Sequence, residues 1–222
     1  HQKACLYTSV LQDPAQLAGN VALITQSGSI ALGLLTDCRR FGFSHLISAG
    51  NEAVTTTADY IEFLADDPNT KVIATFTEAI REPERYVAAL DKAADNGKPV
   101  VVLKVGKSAR AQNAIVGHTG GLAGASRVVS AMLKRHRAIE VDDMEELTEV
   151  LACCQGTRWP AGPRIGVLTG SGGQAELILD ICSEQSIDLP ELSAAGRSSA
   201  AEVIGSVSGD GNPLDAWGSG NF

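Results

Sequence analysis

From Asn20 onward, short apolar runs alternate with amphipathic stretches of ten residues or more, and this alternation restricts the chain to a parallel sheet covered by helices. A strand buried on both faces reads as a continuous apolar run, because neither face meets water. Five such runs are present, at residues 21–25 (VALIT), 45–49 (HLISA), 71–76 (KVIATF), 99–105 (PVVVLKV) and 138–141 (AIEV). Helical periodicity lies between and after them, at 29–40, 56–65, 83–96, 122–136 and 142–154. The pattern predicts one α/β unit over residues 20–155, preceded by an extension or linker at residues 1–19.

At residues 155–164 (QGTRWPAGPR), two Pro and two Gly in ten residues end the last helix, and residues 156–164 read as a linker. A strand is expected at once, in RIGVLTG (residues 164–170), then a helix over residues 171–185. ALITQSGSIALGLLTDC (residues 22–38) and GVLTGSGGQAELILDIC (residues 166–182) align as an apolar strand, a Ser-Gly turn and a helix ending in Cys. This is an internal repeat of one supersecondary unit. The second copy reaches GNPLDAWGSGNF (residues 211–222) with about two strands' worth of sequence, so residues 165–222 are expected to be the start of a second, incomplete domain of the same kind.

The net charge of −8 argues against nucleic acid or an anionic membrane surface as a partner, since both need a basic face. No apolar run approaches the roughly 20 residues of a membrane span, and HQKACLYTSV lacks the pattern of a signal peptide, so a cytoplasmic protein is expected. The five cysteines (Cys5, Cys38, Cys153, Cys154, Cys182) form no CxxC pair and suggest neither a disulfide framework nor a metal site. Cys153 and Cys154 read as small apolar residues near a helix end.

In an open parallel sheet, ligands collect at the carboxyl ends of the strands, where loops lead into helix N-termini. Two of those loops are made of small residues: Ser27, Gly28 and Ser29 in the first unit, and Ser171, Gly172 and Gly173 in the second. Small side chains leave the first helical N–H groups uncovered, and with the helix dipole these form a site for a phosphate. Gly170, Gly172 and Ala175 also satisfy GxGxxA, with Asp188 and Glu191 downstream, but a lone dinucleotide fingerprint is weak and leaves the most unusual segment unexplained.

That segment is GHTGGLAG (residues 117–124), which sets His118 among small residues between an expected polar loop (residues 108–113) and the next helix. A nucleophilic imidazole needs an acceptor on its second nitrogen, to fix the tautomer and stabilise the cation formed on attack. Glu78, delivered just past the apolar run at 71–76, is the candidate; Glu82, beside Pro83, reads as a first-turn partner of a helix dipole. His45 reads as a packed or edge residue, His136 as part of a basic helix end, and His1 as terminal. Lys104 and Lys107 flank the loop leading to His118 and read as exposed charges able to attract a polyanion.

With these residues in place, the chain resembles the NDP-forming acyl-CoA synthetases, the superfamily of succinyl-CoA synthetase and ADP-forming acetyl-CoA synthetase. ITQSGSIALGLL, SAGNEAVTTTADYIEFLADDPNTKVIATFTEAIRE, KPVVVLKVGKSA and GHTGGLAG are similar to successive motifs of that family's second domain, and GVLTGSGGQAELILD and GNPLDAWG to those of the domain that follows. The resemblance implies a flavodoxin-like parallel sheet with helices on both faces. It implies that His118 is the phosphohistidine, that Glu78 orients it, and that Ser27, Gly28, Ser29 and Ser171, Gly172, Gly173 begin two helices pointing at the phosphate. The implied reaction makes an acyl-CoA from a small carboxylic acid, CoA and ATP with Mg2+, through a phosphohistidine and an acyl phosphate. The family's CoA-binding and ATP-grasp domains have no counterpart here, so they are expected in cis or on a partner subunit, in a homo-oligomer, and the chain alone is expected to be inactive. The alternative that the resemblance leaves is a non-catalytic module of the same fold that senses CoA or acyl-CoA.

Overall fold

In the computed structural model, which describes residues 18–37, 40–119, 126–156 and 158–217, each of the five apolar runs is a strand. They are β1 (Ala18–Thr25), β2 (Phe43–Ser48), β3 (Val72–Thr77), β4 (Val100–Lys104) and β5 (Ile139–Val141), all parallel, in the order β2-β1-β3-β4-β5. Parallel neighbours must be joined by crossovers, which the helices provide. These are α1 (Gly28–Asp37), α2 (Thr57–Asp66), α3 (Pro83–Asp95), α4 (Ala109–Thr119), α5 (Ser126–Arg135) and α6 (Met144–Cys154).

The two faces of the sheet are sorted residue by residue, because successive strand side chains point to opposite sides. Ala22, Ile24, Ile73, Val100 and Val102 pack with Ile61 and Leu64 of α2, Leu90 of α3 and Leu133 of α5. Val21, Leu23, Val72, Ala74, Val101 and Leu103 pack with Leu34 of α1 and with Leu147, Leu151 and Cys154 of α6. Cys154 is therefore a small core residue, as its helical setting suggested. Fully burying a Val, Leu or Ile contributes about 1.5–3 kcal/mol, so this double-sided packing dominates the stability of the unit.

Local signals fix the helix starts. Thr56 and Asp59 form a reciprocal capping box at α2, Pro83 opens α3, and Asp143 accepts from the Glu146 N–H at 2.8 Å to begin α6. The polar stretch expected as a loop at 108–113 is instead the start of α4. The Ala111 N–H donates to Ser108 Oγ at 3.2 Å, the Ala, Arg and Gln that follow are good helix formers, and Ile115 supplies a buried anchor. The glycine-rich residues 120–125 and the N-terminal residues 1–17 lie outside the described residues.

The chain divides between Thr157 and Arg158 into two compact units. In the second, β6 (Leu168–Thr169) pairs in parallel with β7 (Leu214–Asp215), beside α7 (Gly172–Glu184) and α8 (Ala194–Ile204). The strand expected over 164–170 is thus only two residues long, because β7 offers only two residues to pair with. Asn212 compensates: it is buried, donates to the carbonyls of Ile165 and Pro190 at 2.9 Å each, and accepts from the Val167 N–H at 2.9 Å. Neither α7 nor α8 buries a residue, and Leu177, Leu179 and Ile181 of α7 are exposed. Among the described residues, no helix is long and apolar enough to cross a membrane.

Tyr86, on the buried side of α3, has its phenol pushed up to about 12 by desolvation, with Thr75 and Thr77 pulling weakly the other way. A folded value above the unfolded one near 10 means that Tyr86 contributes stability fully below pH 10, and that this is lost as the pH rises toward 12. Ultraviolet titration should show one tyrosine ionising only with alkaline unfolding, and Tyr86→Phe should remove that component.

Candidate functional site

The strand order reverses between β1 and β3, since the chain leaves β1 toward β2 on one side and then crosses to β3 on the other. Helices from the two crossovers diverge there, and the carboxyl ends of β1 and β3 open into a cleft, the position where doubly wound sheets take their ligands. The cleft is lined by Gln26, Asn51, Glu52, Glu78, Ala79 and Arg81. It lies beside the first glycine loop and contains Glu78, so the structure brings these two expected features together.

The turn from β1 into α1 holds itself. Thr25 is fully buried, and its hydroxyl accepts from the Ser27 N–H at 3.0 Å and donates to the Ser27 carbonyl at 2.8 Å. The Ser27 and Ser29 hydroxyls meet at 3.0 Å at the start of α1, whose first turn carries no acidic side chain. The second unit repeats the device. Thr169 Oγ1 accepts from the Ser171 N–H at 3.2 Å and donates to Gln174 Oε1 at 2.8 Å, and Ser171 caps α7. The first turn of α7 also lacks an acid, but α4, α5 and α8 share that property, so it does not single out either loop. Position does so for α1, which starts at the strand reversal. At α7, the Asp215 carboxylate lies 3.4 Å from where a Cβ on Gly172 would be, so an anion there has a carboxylate for a neighbour.

Glu78 is the first residue beyond β3, and both polar groups of its backbone are held by side chains from the flanking strands. Its N–H donates to Gln26 Oε1 at 2.7 Å, and its carbonyl accepts from Lys104 Nζ at 2.8 Å. Lys104 ends the interior strand β4 and is only 5% exposed, so it is not the solvated charge expected from its place at the end of an apolar run. Its ammonium also donates to the Val105 carbonyl, and desolvation holds its pKa below the ordinary lysine value, against the opposing pull of the Glu78 carboxylate. Lys107 is engaged with Glu140 at 3.1 Å and Asp142 at 2.6 Å.

Gln26 and Glu52 carry no expectation from the sequence, yet both are central. The Gln26 carbonyl oxygen accepts from the Glu78 and Ala79 N–H groups at 2.7 and 3.0 Å. Its amide nitrogen donates to Glu52 Oε1 and to the Ala79 carbonyl at 2.8 Å each. Glu52 is 8% exposed, with a positive φ of 53° that a non-glycine residue seldom adopts. Its Oε1 also accepts from the N–H and hydroxyl of Thr57, at the N-terminus of α2, where the helix dipole favours a buried carboxylate. Its Oε2 is buried with no hydrogen-bond partner among the described residues.

The other expected residues sort as follows. His118 is the penultimate residue of α4, and its side chain lies outside the described residues. Glu82 precedes α3 and accepts from Arg85 at 3.0 Å and from the Thr56 hydroxyl at 3.2 Å, a helix-start role as expected. His45 stands on the edge strand β2, edge-on to Phe63, and His136 meets Asp91 at 3.0 Å. Among the described residues, no cluster of His, Cys, Asp and Glu could hold a metal ion.

Together these features define a doubly wound α/β protein with its cleft at the strand reversal. The family model described as the succinyl-CoA ligase like flavodoxin domain matches residues 18–154, more than half of the chain, and the chain belongs to that family. A trans-feruloyl-CoA synthase from an unknown prokaryotic organism is 33% identical over 92% of this chain and 29% of its own length. The alpha subunit of the ADP-forming acetate–CoA ligase II of Pyrococcus furiosus is 32% identical over 89% of this chain and 43% of its own. Among solved structures, the acetyl-coenzyme A synthetase 1 of Ca. Korarchaeum cryptofilum, in complex with phosphate and ADP, superposes with a TM-score of 0.82 at 27% identity, over 91% of this chain and 44% of that one. The chain therefore spans less than half the length of these relatives.

Thr25→Val should destabilise the first unit by about 1–2 kcal/mol, because it strands the half-buried Ser27 N–H, and Thr169→Val should cost the second about 1 kcal/mol. Urea denaturation would read both, and the corresponding Ser variants should recover most of each loss.

Proposed function

We propose that this chain is the phosphohistidine-bearing part of an ADP-forming acyl-CoA synthetase, which makes an acyl-CoA from a carboxylic acid, CoA and ATP. The observation that carries the reading is Glu78, its backbone clamped from both sides, at the strand reversal where α1 begins. That pairing provides an acceptor for an imidazole N–H next to a helix N-terminus suited to a phosphate. Topology supports His118 as the imidazole. The ten residues of α5, about 15 Å of helix, suffice for the return along the sheet from β4 to β5, which leaves α4 on the side of the strands' carboxyl ends.

In this reading, neutral His118 attacks phosphorus while Glu78 accepts its other N–H and stabilises the imidazolium character that develops. Ser27, Gly28 and Ser29 present the first N–H groups of α1 to the phosphate. The phosphoryl group passes between the nucleotide and the acid, so an acyl phosphate forms, and CoA thiolate displaces phosphate from it. Phosphoryl transfer of this kind depends on positioning and charge stabilisation more than on covalent chemistry by the protein. We place Mg2+, the nucleotide and most of the CoA contacts on CoA-binding and ATP-grasp domains, in cis or on a partner subunit of a homo-oligomer. The cytoplasm is the compartment this reading implies.

Incubating the complete protein with Mg-ATP should give an acid-labile phosphate on His118, detected by mass spectrometry and lost in His118→Ala. Glu78→Gln should keep the fold and slow phosphate transfer by about a hundredfold or more. A wild-type protein that never carries phosphate under turnover would leave the CoA-sensing module in its place.

A further inference from the structure

Neither Gln26 nor Glu52 has been given a role in the reaction above. Their hydrogen bonds nonetheless converge on the backbone of Glu78. We propose that Gln26, with its carboxamide locked by Glu52, is the positioning residue that sets the Glu78 carboxylate for its work on His118. The proposal rests on the phosphohistidine reading and adds a residue to it.

The orientation of the Gln26 amide follows from its four partners. Two are N–H groups, of Glu78 and Ala79, and only the carbonyl oxygen can face them. Two are acceptors, Glu52 Oε1 and the Ala79 carbonyl, and only the amide nitrogen can face those. A flipped amide would oppose donor to donor and acceptor to acceptor at all four contacts. Glu52 is itself held by Thr57 at the start of α2, so Gln26 is braced from β2–α2 as well as from β3.

The result is a clamp. Gln26 follows β1, Lys104 ends β4, and β3 lies between these strands. Glu78 therefore has its N–H fixed from one side and its carbonyl from the other, which leaves its side-chain torsions as the main freedom of the carboxylate. The cost of this arrangement is visible in Glu52, buried with one oxygen lacking a partner among the described residues and with a left-handed backbone. Strain of this kind persists where surrounding structure over-determines a residue, and it concentrates at functional sites. Gln26 also immediately precedes Ser27, so the residue that holds Glu78 is bonded to the first glycine loop.

The test is a double-mutant cycle on the complete protein, reading the rate of phosphate appearance on His118 from Mg-ATP. Gln26→Met keeps the length of the side chain and removes its hydrogen bonds; it should slow phosphorylation by about tenfold or more in the wild type, yet by less than about twofold in a Glu78→Gln background, because a residue acting through Glu78 has nothing left to position there. Glu52→Gln keeps the accepting oxygen and should stay within about twofold of wild type, while Glu52→Leu should behave like Gln26→Met. KM for CoA should not move in any of them. Should Gln26→Met fail to fold, as judged by circular dichroism, Glu52→Leu is read in its place through the same cycle. Equal slowing in both backgrounds would mean general damage and would overturn the proposal, as would a folded Gln26→Met that phosphorylates normally. If the wild type carries phosphate and Glu78→Gln slows it while the Gln26 and Glu52 variants do not, this proposal alone fails. If the wild type carries none on His118, the phosphohistidine reading fails and this one with it.

Discussion

Where the crossovers diverge, between β1 and β3, the ends of two buried strands must find hydrogen-bond partners away from the sheet ladder, because an unpaired buried N–H or carbonyl is costly. Much of what is unusual in the first unit answers that demand. The Thr25 hydroxyl satisfies the turn into α1, the Gln26 amide satisfies the loop after β3, and the Lys104 ammonium satisfies the carbonyls of Glu78 and Val105. Polar side chains are drawn into the interior by the backbone, and they leave the Glu78 carboxylate in the cleft rather than in a capping role.

The same demand explains what could and could not be read from the sequence. The five strands were legible because burial on both faces makes each a continuous apolar run, and the helices packed on them kept a clear period. Glu78 was legible because a carboxylate directly after such a run falls at the carboxyl edge. Gln26 and Glu52 were not: each is one polar residue in a polar loop, and nothing local distinguishes a solvated amide from one with four partners more than 20 positions away. A signal did exist for Lys104, since PVVVLKV places it in register inside an otherwise buried strand. The helix α4 is not legible from the stretch 108–113, since Ser and Asn there resemble loop residues and the buried Ile115 lies beyond it.

The second unit shows how strongly regular structure depends on company. Its α7 formed as the periodicity implied, since a helix satisfies its own backbone, whereas the strand before it shrank to what one short neighbour could pair. The family match over residues 18–154 coincides with the unit that holds the five-stranded sheet.

The two strand-to-helix turns close through one threonine hydroxyl and their own main chain, so neither relies on the side chain that follows the threonine. That site is Gln26 in one copy and Gly170 in the other, where the Trp217 ring lies 3.3 Å from where a Cβ would be, so a larger residue would have to shift the indole. A duplicated turn of this sort is a chassis with one interchangeable fitting: the peptide path is inherited unchanged while a single neighbouring position is free to diverge, becoming a strut to the adjacent strand in one copy and a seat for an indole in the other.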